Sequence, residues 1–144
     1  MRYLSIDLGD RRTGLAVGDD ETKIATPAGQ IETSDPDQRI RLIERAIKEH
    51  RPDGVVVGLP LNMDGTEGPA ARKARQVAEQ VALRTGLPVH SVDERLTSES
   101  ADDRLKGSGL TRKARKRRRD ALAAAEILKD FLERGGGREA RRAK

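Results

Sequence analysis

The sequence predicts an α/β fold: a mixed five-stranded sheet, made of an antiparallel three-strand meander plus two parallel strands and flanked by helices. Three observations carry this prediction. Residues 3–8 alternate between apolar and polar, which is strand periodicity. Val55-Val56-Val57 is a continuous apolar run, the mark of a strand covered on both faces. Apolar residues recur at helical spacing around residues 40–47, 70–81 and 123–132.

The first strand covers Tyr3 to Leu8, with Leu4, Ile6 and Leu8 on one face and Tyr3, Ser5 and Asp7 on the other. Gly9-Asp10-Arg11-Arg12 supplies turn chemistry, Thr13 to Val17 a second short strand, and the Asp19-Asp20 turn leads to a third around Lys23 to Ile31. A helix starts at Asp35-Pro36, carries Ile40, Ile43, Ala46 and Ile47 inward, and stops at Arg51-Pro52. After the strand at Val55–Val57 comes a loop from Gly58 to Thr66, then a helix with Pro69 at its first position. Its expected stripe is Ala70, Ala74, Val77, Ala78 and Val81, and Gly86 ends it. Leu87 to Val92 is the last strand. Thr97 or Ser98 would cap a short helix with Glu99 and Asp102 in its first turn, closed at Leu105-Lys106-Gly107. The final helix turns Ala123, Ala124, Ile127, Leu128, Phe131 and Leu132 to one side and ends at Gly135-Gly136-Gly137. The 144 residues are thus read as one domain, residues 1–134, followed by a basic tail, 135–144, expected to be disordered.

Composition narrows the function. Without cysteine there is neither a disulfide framework nor a thiolate metal site, and no signal peptide or long apolar span stands out, so a cytoplasmic location and no membrane are expected. The net charge of +5 is unevenly spread: Arg112, Lys113, Arg115, Lys116, Arg117, Arg118 and Arg119 form a near-continuous basic run. Such a run implies a polyanionic partner, the plain alternative being a solvated segment with none. Tyr3 and Phe131 are the only aromatic residues, so base stacking is nearly excluded and recognition should work through phosphates and shape.

Acids stand where open α/β sheets bind ligands, beyond the carboxyl ends of the parallel strands. Asp7 lies near the end of the first strand, Asp93 and Glu94 directly follow the last, and Asp120 begins the apolar stripe of the final helix. Asp120 shares a face with Ala123, Ala124, Ile127 and Leu128, so it points toward the protein and needs a partner. A metal ion shared with Asp7 and Glu94 would serve, and hard oxygen ligands favour Mg²⁺ or Mn²⁺. The alternative is that these acids pair with Arg12, Arg95 and Arg119.

Four blocks of the chain resemble the YqgF/RuvX family, relatives of the RuvC Holliday-junction resolvases with an RNase H-like fold. They are Asp7-Leu8-Gly9-Asp10-Arg11-Arg12-Thr13-Gly14-Leu15-Ala16-Val17; Val57-Gly58-Leu59-Pro60-Leu61-Asn62-Met63-Asp64-Gly65-Thr66; Asp93-Glu94-Arg95-Leu96-Thr97; and Asp120 followed by Ala123-Ala124 and Ile127-Leu128. They span about residues 2 to 133, and the second and third are the most specific. The resemblance implies a metal-dependent nuclease, a hydrolase of phosphodiester bonds that trims the 5′ end of the 16S ribosomal RNA precursor. Holliday-junction resolution or nucleic-acid binding without catalysis are the alternatives. The acidic site carries over to Asp7, Glu94 and Asp120, as catalytic residues and metal ligands. One departure from the RuvC resolvases is that their second acid sits on the central parallel strand, where this chain reads Gly58-Leu59-Pro60, so Glu94 must replace it. Another is Arg119 directly before Asp120, where an apolar residue is expected.

Around these acids, Arg12 and Arg95 are candidates for holding phosphates bidentately, and Asn62 and Thr66 for donating to phosphate from a loop ahead of a helix. Thr97 completes the substrate-binding set through the third block. Gly9 and Gly14 would tighten the first hairpin and let a phosphate approach the backbone. His50 and His90 have no ligand or triad partner in the sequence and are assigned no chemistry. The expected partner is structured RNA such as a ribosomal precursor, or branched DNA, met by a monomer or a homodimer. Asp7-Leu8-Gly9 with Thr13-Gly14 also resembles the phosphate motif of actin-like and sugar kinases, but those close two such domains over ATP and this chain has room for one.

Overall fold

A computed structural model describes residues 1–93 and 112–135, the side chains of 112–120 excepted. The expectations placed on Glu94, Arg95, Thr97, the short helix after them, Gly136, Gly137 and the tail beyond lie outside the described residues, as do those on the side chains of Arg119 and Asp120.

β1 (Arg2–Leu8), β2 (Arg12–Asp19) and β3 (Ala25–Glu32) form the meander; β4 (Gly54–Leu59) and β5 (Val89–Asp93) are the parallel strands. The sheet runs β3-β2-β1-β4-β5, so β1 is central, antiparallel to β2 and parallel to β4. α1 (Pro36–His50) and α2 (Pro69–Thr85) provide the crossovers, and α3 (Arg112–Glu133) follows β5. The predicted architecture is therefore the one found.

Local chemistry sets the boundaries. α1 begins where the Asp35 side chain accepts from the Asp37 amide at 3.0 Å, with Pro36 in the first turn. It stops at Arg51, whose φ of +49° lets its amide donate back to the Ile47 carbonyl at 2.8 Å. Gly86 does the same for α2 with φ +72°.

Three expectations shift by a residue or two. The third strand begins at Ala25, not Lys23, because Lys23 adopts φ +57° and donates back to the Asp19 carbonyl, leaving Ile24 63% exposed. The buried alanine in the first turn of α2 is Ala71, and Ala70 faces solvent. The last strand starts at Val89 and includes Asp93, paired with Leu59, so Asp93 ends the strand rather than following it.

The sheet is covered on both sides. On one, Leu4, Ile6, Leu15, Val55 and Val57 pack with Ile40, Ile43 and Ile47 of α1 and Ala71, Ala74, Val77 and Val81 of α2. On the other, Tyr3, Ala16 and Val56 pack with Ala124, Ala125, Ile127, Leu128, Phe131 and Leu132 of α3. Double coverage explains why Tyr3 and Ser5, on the face the alternation marks as the more polar, are as buried as Leu4 and Ile6.

Candidate functional site

Asp7 is half-buried near the carboxyl end of β1, opposite Gly14 of β2. It shares the α3 face with Tyr3 and Ser5, because side chains two apart on a strand point the same way. The direction of α3 across that face follows from two contacts. The Tyr3 ring meets the Phe131 ring edge-on at 5.0 Å, and the buried Ser5 hydroxyl donates to the Ala124 carbonyl at 2.7 Å. Moving forward along β1 is thus moving backward along α3. Two residues on from Ser5, about 7 Å of strand, is Asp7. Four residues back from Ala124, about 6 Å of helix, is position 120.

α3 sits this close because the sheet beneath it carries small residues. Tyr3 is paired with Gly18 on β2 and Gly54 on β4. A Cβ on Gly18 would lie 2.9 Å from Leu128 Cδ2, and one on Gly54 would lie 2.9 Å from Tyr3 Cε1. His90 joins the same cluster, 5.0 Å from the Phe131 ring and 6.2 Å from that of Tyr3, a packing role for a histidine to which no chemistry is assigned.

The turn after Asp7 is held tightly. The Gly9 amide donates to the Arg12 carbonyl at 2.7 Å, and a Cβ on Gly9 would stand 2.7 Å from that oxygen, so the turn requires the glycine. Arg12 lies opposite Glu32 and is half-buried. Its Nε is enclosed without a hydrogen-bond partner, and it makes no ion pair among the described residues, so the pairing of Asp7 with Arg12 considered from sequence is not found.

The loop after β4 is organised by its own polar groups. The Asn62 amide donates to the Thr66 carbonyl at 2.9 Å and the Gly65 amide to the Asn62 carbonyl at 2.8 Å, with Gly65 at φ +89°. The Asn62 side-chain amide donates to Thr66 Oγ1 at 3.0 Å, and that hydroxyl donates to Asp64 at 2.6 Å. Thr66 thereby spends its one hydroxyl proton on Asp64, and a donation to phosphate would have to displace that bond. Asn62 and Thr66 are brought together, but by each other.

Asp93, two strands from Asp7, ends β5. Val89 packs into the core under α1 and α2 while Val92 packs under α3, so odd positions of β5 face one way and even positions the other. Among the described residues no three His, Asp or Glu side chains gather closely enough to hold a metal ion. Of the three acids expected to do so, only Asp7 has a described side chain.

One residue that sequence reading passed over is Arg39. It is 1% exposed on α1, and its Nη2 donates to the Asp10 carbonyl at 2.6 Å and to the Thr33 carbonyl at 3.1 Å. The signal was available: Arg39 lies four residues before Ile43, on the inward stripe of α1.

A family model described as "RuvX: Holliday junction resolvase" matches residues 1–134. A protein of Anaeromyxobacter sp. (strain Fw109-5), named "Putative pre-16S rRNA nuclease", is 43% identical over 133 residues, covering 92% of this chain and 97% of its own. A protein of the same name from Escherichia coli O7:K1 (strain IAI39 / ExPEC) is 40% identical over 132 residues, 92% of this chain and 96% of the relative. Among solved structures, T. thermophilus RuvC in complex with Holliday junction substrate superposes with a TM-score of 0.58 at 20% identity, over 94% of this chain and 97% of that one. The Fowlpox virus resolvase in complex with Holliday junction DNA gives 0.61 at 11% identity, over 93% and 98%. At such identities the two structures speak for the fold alone.

Proposed function

Because the chain belongs to the RuvX family, we propose that it is a divalent-metal-dependent nuclease that hydrolyses phosphodiester bonds of structured RNA, trimming the 5′ end of the 16S ribosomal RNA precursor in the cytoplasm. The observation that carries this reading is the crossing of β1 and α3. The Tyr3–Phe131 and Ser5–Ala124 contacts run the two elements in opposite senses across one face, so the carboxyl end of β1 and the first half of α3 lie toward the same end of the sheet. Glu94 directly follows Asp93, the last residue of β5.

Carboxylates at Asp7, Glu94 and Asp120 would suit Mg²⁺ or Mn²⁺, which take hard oxygen donors, and no cysteine is available to favour a softer metal. Asp7, Glu94 and Asp120 would hold the metal; when bound, it would lower the pKa of the attacking water and neutralise charge on the leaving oxygen. The chain itself supplies position and shape. Arg12, which follows the Gly9 turn, would take a phosphate of the substrate strand through its guanidinium, with Arg95 and Thr97 contributing from the segment after β5. Asn62 and Thr66 would act by fixing the loop that borders the site. The basic run Arg112–Arg119 would grip further phosphates.

Junction resolution is the second reading, favoured by the description of the matching family model as a Holliday junction resolvase. The deciding experiment sets wild type against Asp7→Asn on a ribosomal RNA precursor and on a four-way DNA junction, with Mg²⁺, with Mn²⁺ and with chelator. Metal-dependent cleavage of the RNA, lost in Asp7→Asn while binding persists, supports the proposal. Cleavage of the junction alone shifts it to the second reading, and binding without cleavage of either substrate abandons hydrolysis.

A further inference from the structure

We propose that Arg39 is a positioning residue for this reaction: its buried guanidinium ties the β1–β2 turn to the β3–α1 connection and so fixes where Arg12 and the end of β1 meet the substrate backbone. The inference rests on the nuclease reading. Its physical basis is the set of bonds on that turn. The Gly9 amide reaches the Arg12 carbonyl at 2.7 Å, the Thr33 amide reaches the Arg11 carbonyl at 2.8 Å, and Arg39 Nη2 reaches the Asp10 carbonyl at 2.6 Å. Three consecutive carbonyls, from Asp10 to Arg12, therefore each accept a bond, and only the one from Arg39 comes from a side chain. The same Nη2 also donates to the Thr33 carbonyl at 3.1 Å, which makes Arg39 the cross-brace between the two connections.

A merely space-filling role is a poor account of this side chain. Arg39 is almost fully enclosed, pairs with no carboxylate among the described residues, and leaves its Nε without a partner. Burying a guanidinium on those terms is costly, and packing alone would be served as well by an apolar side chain. α1 does not need it as an anchor, since Ile40, Ile43, Ala46 and Ile47 already seat the helix. What an apolar residue would not supply is the hold on the Asp10 and Thr33 carbonyls. Only four residues, Leu8 to Arg11, lie between Asp7 and Arg12, so any slack in the turn moves the acid and the phosphate-binding group relative to each other.

The test compares wild type, Arg39→Met and Arg39→Lys by steady-state cleavage of the RNA precursor and by amide hydrogen exchange at Gly9 and Thr33. Arg39→Met should lower kcat about 10- to 100-fold, the scale of a misplaced reacting group, while KM changes less than about threefold. Exchange at both amides should quicken about tenfold or more, and Arg39→Lys should restore part of kcat and part of the protection. The salt dependence of RNA binding should stay as in wild type, because Arg39 neutralises no phosphate. A folded Arg39→Met variant with wild-type kcat, or with both amides as protected as before, overturns the positioning role. So does a shallower salt slope, which would make Arg39 a direct phosphate ligand. Should Arg39→Met fail to fold, Arg39→Lys decides alone: loosened amides with unchanged kcat refute the proposal. Wild type inert on both RNA and junction defeats the nuclease reading itself, and the positioning role with it.

Discussion

Under α1 and α2 the sheet is packed with branched aliphatic side chains, Ile6, Val55 and Val57 against Ile43, Val77 and Val81, whereas under α3 the small residues Ser5, Ala16 and Gly18 stand beside Tyr3 and Val56 and meet Ala124, Leu128 and Phe131. The first arrangement buries mainly apolar area, with Arg39 as the buried charged residue of α1. The second gives up area so that a helix can approach the strands closely enough for Ser5 to bond a helix carbonyl. The aliphatic interior of the first face supplies stability and the second a close helix–strand alignment, and Asp7 stands on the second.

If that division is right, substitutions on the two faces should separate stability from activity. The largest effect belongs to the aligning face: Asp7→Asn should cost about 10²–10³-fold or more in cleavage rate, on the scale of losing one charge-handling group in a hydrolase, with its urea midpoint near wild type. A variant that loses stability in proportion to activity would break the comparison. On the other face, Ile43→Ala, at a fully buried position, should destabilise the fold by about 2–5 kcal/mol while leaving kcat of the folded fraction unchanged. Gly18→Ala tests the close approach directly. Its Cβ would stand 2.7 Å from the Ile24 carbonyl and 2.9 Å from Leu128, so a loss of about 1–3 kcal/mol is expected, accompanied by lower kcat as α3 is pushed away. Ser5→Ala removes one buried hydrogen bond and should cost about 0.5–1.5 kcal/mol by denaturant titration. Arg84→Ala breaks a surface ion pair with Glu44 and should change stability by under about 1 kcal/mol, with no effect on cleavage.

The same contrast explains what was legible in the sequence. Helix stripes and strand runs of the aliphatic face announce themselves by periodicity, so α1, α2 and β4 are found nearly where expected. The small first-turn alanines of α2 carry little signal, and Ala70 is mistaken for Ala71. Lys23 ends in a left-handed conformation that nothing in its residue type foretells, which delays β3. At the site, the position of Asp7 at the end of β1 and the need for Gly9 in the turn are both readable, the latter because only glycine fits 2.7 Å from a carbonyl. Arg39 escapes because charge is read as a surface marker. The inward-stripe reasoning applied to Asp120 applies equally to this arginine and would have found it. Thr66 shows what residue type alone leaves out, since a loop hydroxyl suggests a phosphate donor while in the structure its proton goes to Asp64.

The central place of β1 bears on how the chain folds as it is made. Its partner β2 comes next in sequence, but its partner β4 begins at Gly54, beyond the rest of the meander and all of α1. At synthesis rates of about 5–20 residues per second, the edge of β1 that will receive β4 stays bare for seconds after the meander has emerged. A strand edge left open that long is an invitation to wrong pairing, and slowing translation between residues 33 and 53 should increase aggregation more than an equal pause placed after residue 59.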